Sequence, residues 1–119
     1  MNSLEKEIQK TEDAFKNCQK SLIALGDENR QHLILEMMKM GSCQGVRVGE
    51  ITKQTHLSRP AVSHHLQILK EAGIIQMRKE GTKHYYYFDA DPKAMNQLLV
   101  LVTQIQKIMG ILPKRDCND

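Results

Sequence analysis

Residues 48–73, VGEITKQTHLSRPAVSHHLQILKEAG, have the pattern of two helices joined by a tight turn. We predict a short helix over residues 48–55 and, after the turn, a longer helix that Ser58 caps and Gly73 ends. Pro60 falls in the first turn of the longer helix, where its missing N–H costs no hydrogen bond. The apolar residues at helical spacing, predicted to face the core, are Ile51, Leu57, Val62, Leu66 and Leu69. The segment is typical of a helix-turn-helix.

The opposite side of these two helices carries side chains that donate hydrogen bonds. The residues that we predict to contact DNA from here are Thr52, Lys53, Ser58, Arg59, Ser63, His64, Gln67 and Lys70. Arg59 and Gln67 suit bidentate contacts to guanine and adenine, respectively. Thr52, Lys53 and Ser63 suit phosphates. The alternative is a solvated helix face, although the usual mixture of Glu and Lys is missing.

Beyond Gly73 the period of the apolar residues changes from that of a helix to that of a strand. We predict strands over residues 74–79 and 83–88, joined around residues 80–82. The basic residues predicted to contact DNA near the tip of this hairpin are Arg78, Lys79 and Lys83, with His84 beside them. Such a tip lies along the DNA backbone or in the minor groove. A charged edge that prevents pairing with other sheets is the alternative, and both interpretations can hold.

Apolar side chains at spacings of 3 and 4 form seams near both ends of the chain, over residues 1–25 and 91–112. We predict that these two helices form a homodimer interface, because one small domain does not need two exposed seams. The predicted interface residues are Leu4, Ile8, Phe15, Leu22, Leu98, Val102, Ile105 and Met109. The alternative is that both seams pack within one protomer. Asp91 is expected to cap the last helix, with Pro92 at its first position and residues 113–119 as a frayed tail.

The composition limits the class of protein. The chain has 119 residues, which suits one domain, and its net charge is +3. Residues 46–88 hold seven basic and three acidic side chains, an excess that favours an anionic partner such as double-stranded DNA. No apolar run reaches the roughly 20 residues of a membrane span. The N-terminus is charged and the three cysteines are scattered, so we expect a cytoplasmic protein with reduced thiols. Common catalytic motifs such as GxSxG, the P-loop and HExxH do not occur, so we do not expect an enzyme.

Two stretches, LGDENRQHLILEMM at residues 25–38 and LSRPAVSHHLQILKEAGII at residues 57–75, resemble the ArsR/SmtB family of bacterial winged helix-turn-helix repressors. The resemblance implies a mainly α fold with a β-hairpin wing, in the order α-α-α-α-β-β-α, forming one domain over residues 1–119. Residues 48–88 would then read DNA. It also implies a homodimer, held by the first and last helices, that binds a pseudo-palindromic operator and represses transcription. MarR-type regulators with an organic ligand share the winged module and are an alternative.

Many members of that family release DNA when a metal ion binds, but this chain departs from their ligand pattern. The family has a Cys-Val-Cys triplet at the start of the supporting helix, where this chain has Arg47-Val48-Gly49. The family's Asp-x-His at the start of the last helix is replaced by Asp89-Ala90-Asp91. Since zinc prefers three or four converging ligands, we predict no metal site and no other cofactor, and the effector is unknown.

The cysteines offer a second hypothesis for sensing, because some members of the family sense through thiols. Cys18 lies on the first seam and Cys117 just past the last helix, so the two could approach each other across a dimer. The alternative is that Cys18 is a small core residue. A protein-interaction module with a degenerate DNA face is a further alternative for the whole chain, and salt-dependent DNA binding would distinguish it from a DNA-binding regulator.

Overall fold

The computed structural model describes residues 2–41, 44–89 and 92–113, and the elements follow the predicted order. The elements are α1 (Ser3–Leu25), α2 (Glu28–Met40), α3 (Val48–Lys53), α4 (Arg59–Glu71), β1 (Ile75–Glu80), β2 (Lys83–Phe88) and α5 (Lys93–Ile111). The expected fold, mainly helical with one antiparallel hairpin, is confirmed. Asp91, Cys117 and residues 114–119, on which predictions were made, lie outside the described residues.

The main core lies between α2, α3, α4 and the hairpin. Its fully buried side chains include Leu33, Ile51, Val62, Leu66, Leu69 and Ile75. The predicted core positions of the helix-turn-helix are therefore confirmed, and Leu57 packs against them partly buried. Full burial of an aliphatic side chain of this kind contributes roughly 1.5–3 kcal/mol. These contacts hold α3 and α4 in a fixed relative position.

Several element boundaries differ from the predictions by one or two residues, among them the end of β1 at Glu80 rather than at residue 79. α3 ends at Lys53 rather than at residue 55. β1 begins at Ile75 rather than at residue 74, because the N–H of Ile74 donates to the carbonyl of Leu69 and closes the end of α4. Pro92 precedes α5 as its N-cap instead of occupying the first helical position, since its ψ of 123° is extended.

The hairpin is extended by a short pairing that the sequence pattern does not predict. Val46 pairs with Tyr86 on β2, and each residue's N–H donates to the other's carbonyl at 2.8 Å. Gly45 makes this approach possible: its φ is +95°, and a Cβ there would lie 2.8 Å from the carbonyl oxygen of Tyr86. The pairing fastens the segment before α3 to the wing.

α1 and α5 pack against each other within the protomer. Ala14, Cys18 and Leu101 form a small buried cluster between them, and Leu98 and Ile105 pack against it. Toward the other end of α1, Gln104 Nε2 donates to Glu7 Oε2 at 2.7 Å and Lys107 Nζ lies 3.0 Å from Glu7 Oε1. The two helices therefore run in opposite directions and form one outer layer of the molecule.

Candidate nucleic-acid interface

α4 is well defined at both ends. Ser58 caps its start, with Oγ accepting a hydrogen bond from the N–H of Ala61 at 3.3 Å, and proline occupies the first turn. At the other end, Gly73 has a φ of +79°, and its N–H donates to the carbonyl of Lys70 at 2.9 Å. With the Ile74–Leu69 bond this is a Schellman motif, as the glycine predicts.

One side of α4 is exposed and polar, while the other is fully buried. The exposed residues of the predicted set on this helix and at its start are Ser58, Arg59, Ser63, His64 and Gln67. Lys70, at the last turn, is half-buried. Gln67 Nε2 donates to Glu71 Oε1 at 3.0 Å. On binding a base, the Gln67 amide would replace this intrahelical hydrogen bond with one to the base. The face therefore offers short and long donors of the kind that read a major groove.

The supporting helix α3 contributes two further predicted residues. Lys53 is exposed at its C-terminal end. Thr52 is half-buried, and its hydroxyl donates to the carbonyl of Val48 at 2.7 Å. Thr52 can still accept a hydrogen bond, but its proton is committed to its own helix. Lys53 is thus the better placed of the two for a phosphate.

The basic side chains of the wing differ in whether contacts within the chain hold them in place. Lys79 and Lys83 are exposed near the two-residue turn formed by Gly81 and Thr82. Arg78 is half-buried and held by its own chain. Its guanidinium donates to the carbonyl of Gln44 at 2.6 Å, pairs with Glu80, and lies 4.7 Å from the centre of the Tyr85 ring. Arg78 therefore fastens the wing, and Lys79 and Lys83 remain available at its tip.

A cleft of about 510 Å³ lies between the start of α3, the start of α4 and the wing. We call it the basic cleft, after its lining residues Arg47, Lys53, Arg59 and His84. The Arg59 guanidinium reaches into this cleft, because Nη1 lies 3.4 Å from the position that a Cβ on Gly49 would take. This placement turns Arg59 toward the cleft, whereas the sequence pattern suggested a base contact.

A buried polar contact supports α4 from behind. Arg30 Nη1 lies 3.2 Å from His65 Nδ1, and the other donors of Arg30 bind carbonyls at the end of α1. Burial lowers the pKa of His65 below its usual 6.5; the neighbouring Asp27 raises the pKa, and the charges of Arg30 and His64 lower it. His65 therefore contacts Arg30 from the inner side of α4.

Sequence reasoning missed two of the residues described above, Arg47 and Arg30, as parts of the site. Arg47 reaches the site because the Val46–Tyr86 pairing brings the segment before α3 beside the wing. The backbone N–H of Arg30 donates to the Asp27 carboxylate at 3.0 Å, while its guanidinium contacts α1 carbonyls and His65. The Asp27 N-cap signal was visible in the sequence, whereas the partners of the Arg30 guanidinium are set by tertiary packing.

The predicted interface residues lie on the outer helices but in different environments. Leu98 and Ile105 pack within the protomer, and Leu4 is half-buried. The exposed members of the set are Ile8, Phe15, Leu22, Val102 and Met109. An apolar groove of about 580 Å³ runs along α1 beside Ile8, Phe15 and Ile108. An apolar surface thus remains uncovered after α1 and α5 have packed together.

Cys18 is 1% exposed between α1 and α5. Burial raises the pKa of its thiol, which disfavours the reactive thiolate. Within residues 2–41, 44–89 and 92–113, no group of three or more His, Cys, Asp or Glu side chains is arranged to hold a metal ion. None of the helices in the described part of the chain is both long and apolar enough to cross a membrane.

Comparison with known proteins places this geometry in a family. The profile of the family described as "Bacterial regulatory protein, arsR family" matches residues 30–77, which span most of α2, all of α3 and α4, and the start of β1. An uncharacterized HTH-type transcriptional regulator of Methanocaldococcus jannaschii is 35% identical over 82 residues, or 69% of this chain and 86% of that protein. The transcriptional repressor SdpR of Bacillus subtilis is 36% identical over 63 residues, 53% of this chain and 66% of the repressor.

Two further matches are also to transcriptional regulators. The transcriptional activator HlyU of Vibrio cholerae is 30% identical over 88 residues, 71% of this chain and 78% of the activator. The crystal structure of an ArsR family transcriptional regulator, RHA00566, superposes with a TM-score of 0.67 at 15% identity, covering 82% of this chain and 95% of that one. The latter likeness concerns the fold. These matches are to DNA-binding transcriptional regulators rather than enzymes, and the chain belongs to the arsR family of bacterial regulatory proteins.

Proposed function

We propose that the protein is a cytoplasmic, homodimeric repressor that binds a pseudo-palindromic operator, with α4 in the major groove and the wing along the backbone. The observation that carries this proposal is the two-sided character of α4. Its polar side is exposed, while Val62, Leu66 and Leu69 on its other side have no exposed surface. A helix held this rigidly can present Ser63, His64 and Gln67 to base edges without a loss of order elsewhere.

The outer helices support the proposal of a second copy. Ile8 and Phe15 are 49% and 43% exposed on α1, and Val102 and Met109 are 53% and 69% exposed on α5. Apolar surface of this extent on a small domain favours an interface. Two copies related by a two-fold axis would cover these faces reciprocally and offer two α4 helices to one duplex.

The proposed repressor lacks the metal sites known in its family. Arg47 and Gly49 stand where that family places thiolates, and neither side chain ligates a soft metal. Cys18 has a packing role in this proposal, because its thiol is buried and protonated. Wild type and the Cys18→Ala variant are then expected to respond alike to oxidant and to arsenite in operator binding, and a wild-type response that the variant loses would instead favour thiol sensing.

Selection of bound duplexes from a random pool tests the proposal. We expect enrichment of inverted half-sites whose centres are about 10 base pairs apart, or a multiple of that distance. Affinity for the selected duplex should fall steeply with added salt, since several phosphates are neutralised. A transcription reporter placed behind the selected site then separates repression from activation. Recovery of no common sequence, or binding that is insensitive to salt, would contradict the proposal.

A further inference from the structure

The basic cleft brings several basic side chains together, and no carboxylate in the described part of the chain lies within 4.0 Å of any of them. Elsewhere, Lys10, Lys16, Lys39, Lys107 and Arg78 each lie within 4.0 Å of a carboxylate. Within the described ranges, none of Arg47, Lys53, Arg59 and His84 has such a partner. Three permanent cations thus line one cleft without a paired acid.

An acidic residue that lines the cleft is already engaged in a hydrogen bond. Glu50 lines the same cleft, but its Oε1 accepts a hydrogen bond from the backbone N–H of Arg47 at 3.1 Å. This bond directs the carboxylate to the start of α3, where it satisfies a free N–H. The carboxylate of Glu50 keeps its charge, but the permanent cations Arg47, Lys53 and Arg59 outnumber it, so an anion inside the cleft would reduce their mutual repulsion.

The chemistry of the lining favours a phosphate group. Two of the cations are guanidinium groups, whose planar donor sets match phosphate oxygens in a bidentate manner. Thr82, on the turn of the wing, also lines the cleft and adds a hydroxyl to its polar side chains. The lining residues come from the segment before α3 (Arg47), α3 itself (Lys53), the start of α4 (Arg59) and β2 (His84), so the folded chain assembles the site before any ligand arrives.

We propose that the basic cleft binds one phosphate group, held mainly by Arg47 and Arg59. A phosphodiester of bound DNA is one source of that group, because the cleft adjoins the exposed side of α4. This source rests on the proposed function. A free phosphate or phosphorylated small molecule is the other source. In both cases Arg47 becomes a binding residue and Arg59 contacts phosphate rather than a base.

Two measurements on the full chain test this proposal. In the first, inorganic phosphate is titrated at constant ionic strength while the amide resonances of Gly49 and Thr82 are followed by NMR. We expect saturable shifts in the wild type, loss of these shifts in the Arg47→Gln variant, and their return in Arg47→Lys, which restores the charge. Lys6→Gln on α1 is the control and should retain the shifts.

In the second measurement, duplex affinity is recorded over a series of salt concentrations. If the phosphate belongs to DNA, Arg47→Gln should reduce the slope of log affinity against log salt by about 0.9 for each phosphate that is no longer neutralised, and Lys6→Gln should not. If only the phosphate titration responds to Arg47→Gln, the source is a free phosphorylated ligand. Far-UV circular dichroism confirms that each variant is folded.

The two measurements distinguish failure of the phosphate-binding proposal from failure of the proposed function. If the wild type binds no duplex at any salt concentration, the proposed function fails, while the phosphate titration still decides the cleft. Unchanged amide resonances together with an unchanged salt slope in Arg47→Gln would overturn the proposal.

Discussion

Arg30 on α2 and His65 on α4 are joined by a contact of 3.2 Å between Nη1 and Nδ1. A guanidinium can only donate hydrogen bonds, so Nδ1 of His65 accepts and the imidazole is neutral in this arrangement. Arg30 also donates to the carbonyls of Ala24 and Ile23 at 2.8 and 3.0 Å. A single buried side chain thus connects the end of α1 with the start of α2 and with the inner side of α4.

Replacement of Arg30 by methionine should destabilise the protein. Met keeps the apolar stem but leaves the two α1 carbonyls and His65 Nδ1 without their donor, and we expect a loss of about 2–4 kcal/mol in the free energy of unfolding. Chemical denaturation at pH 7 measures it. Gln31→Ala is the matched control: Gln31 Nε2 donates to the carbonyl of Leu25 at 2.8 Å, but the bond is exposed. The control should change stability by no more than about 0.5 kcal/mol.

Stability should fall when the solution is acidified through the range in which an unfolded His65 gains its proton. Because burial lowers the pKa of His65 in the folded state, the unfolded chain binds this proton first as pH falls below 6.5. The contribution of His65 is therefore complete above pH 6.5 and is lost as pH falls from 6.5 to the lower pKa of the folded state. His65→Gln, which keeps an acceptor for Arg30, should remove this step from a plot of stability against pH. An unchanged step would assign it to another group.

A second acid-sensitive contribution comes from Glu7. The hydrogen bond from Gln104 and the ammonium of Lys107 lower the pKa of Glu7 from 4.5 to about 2, against a smaller opposing effect of burial. A carboxyl with a lowered pKa stabilises the folded state above 4.5, and this stabilisation is lost as pH falls from 4.5 to about 2. The melting temperatures of wild type and Glu7→Gln should therefore differ at pH 7 and converge below that range. Glu12→Gln, which breaks only the exposed pair with Lys16, should not show this convergence.

Local signals in the sequence predicted much of this structure. Ser58, Pro60 and Gly73 define α4 through backbone chemistry that depends on few other residues. The apolar period of α4 predicted which side is buried, because the core contacts of a helix follow its own repeat. The change of period after Gly73 predicted the hairpin for the same reason.

Contacts between residues far apart in the chain could not be predicted in this way. Arg47 and His84 line one cleft because of a pairing between Val46 and Tyr86, and this pairing depends on a glycine conformation that sequence periodicity does not report. The apolar seams of α1 and α5 would also have the same sequence pattern whether they pack against each other within one protomer or between two protomers. The structure places Leu98 and Ile105 in the contact within the protomer.

Recognition of bases and neutralisation of phosphates should be separable by substitution. We expect Gln67→Ala to reduce the preference for the selected operator over random DNA, since removal of a base contact costs roughly 1–3 kcal/mol at one position. Lys79→Ala and Arg59→Ala should instead weaken binding to both duplexes by the same factor, because phosphates carry no sequence. Fluorescence anisotropy with both duplexes measures the ratio. Equal proportional losses for all three variants would mean that another face enters the groove.

The outer helices provide the test of the proposed dimer. Ile8→Glu combined with Phe15→Glu puts two charges along the apolar groove of α1, and Val102→Glu puts one on α5. Neither change touches the main core, so the variants should fold but dissociate, because a buried unpaired charge opposes association. Leu35→Glu on α2 is the matched control, since Leu35 is 54% exposed and Val102 is 53% exposed.

Sedimentation and operator-binding measurements together test whether the outer helices form the dimer interface. We expect the wild type and Leu35→Glu to sediment as dimers, and the two interface variants to sediment as monomers. Operator affinity should fall by about 100-fold or more in the interface variants, because a monomer loses the gain from simultaneous binding of two half-sites. Affinity for an isolated half-site should stay the same, which separates loss of pairing from damage to α4. If the wild type remains monomeric with the operator bound, or if the variants remain dimeric, the second copy joins through another surface or not at all.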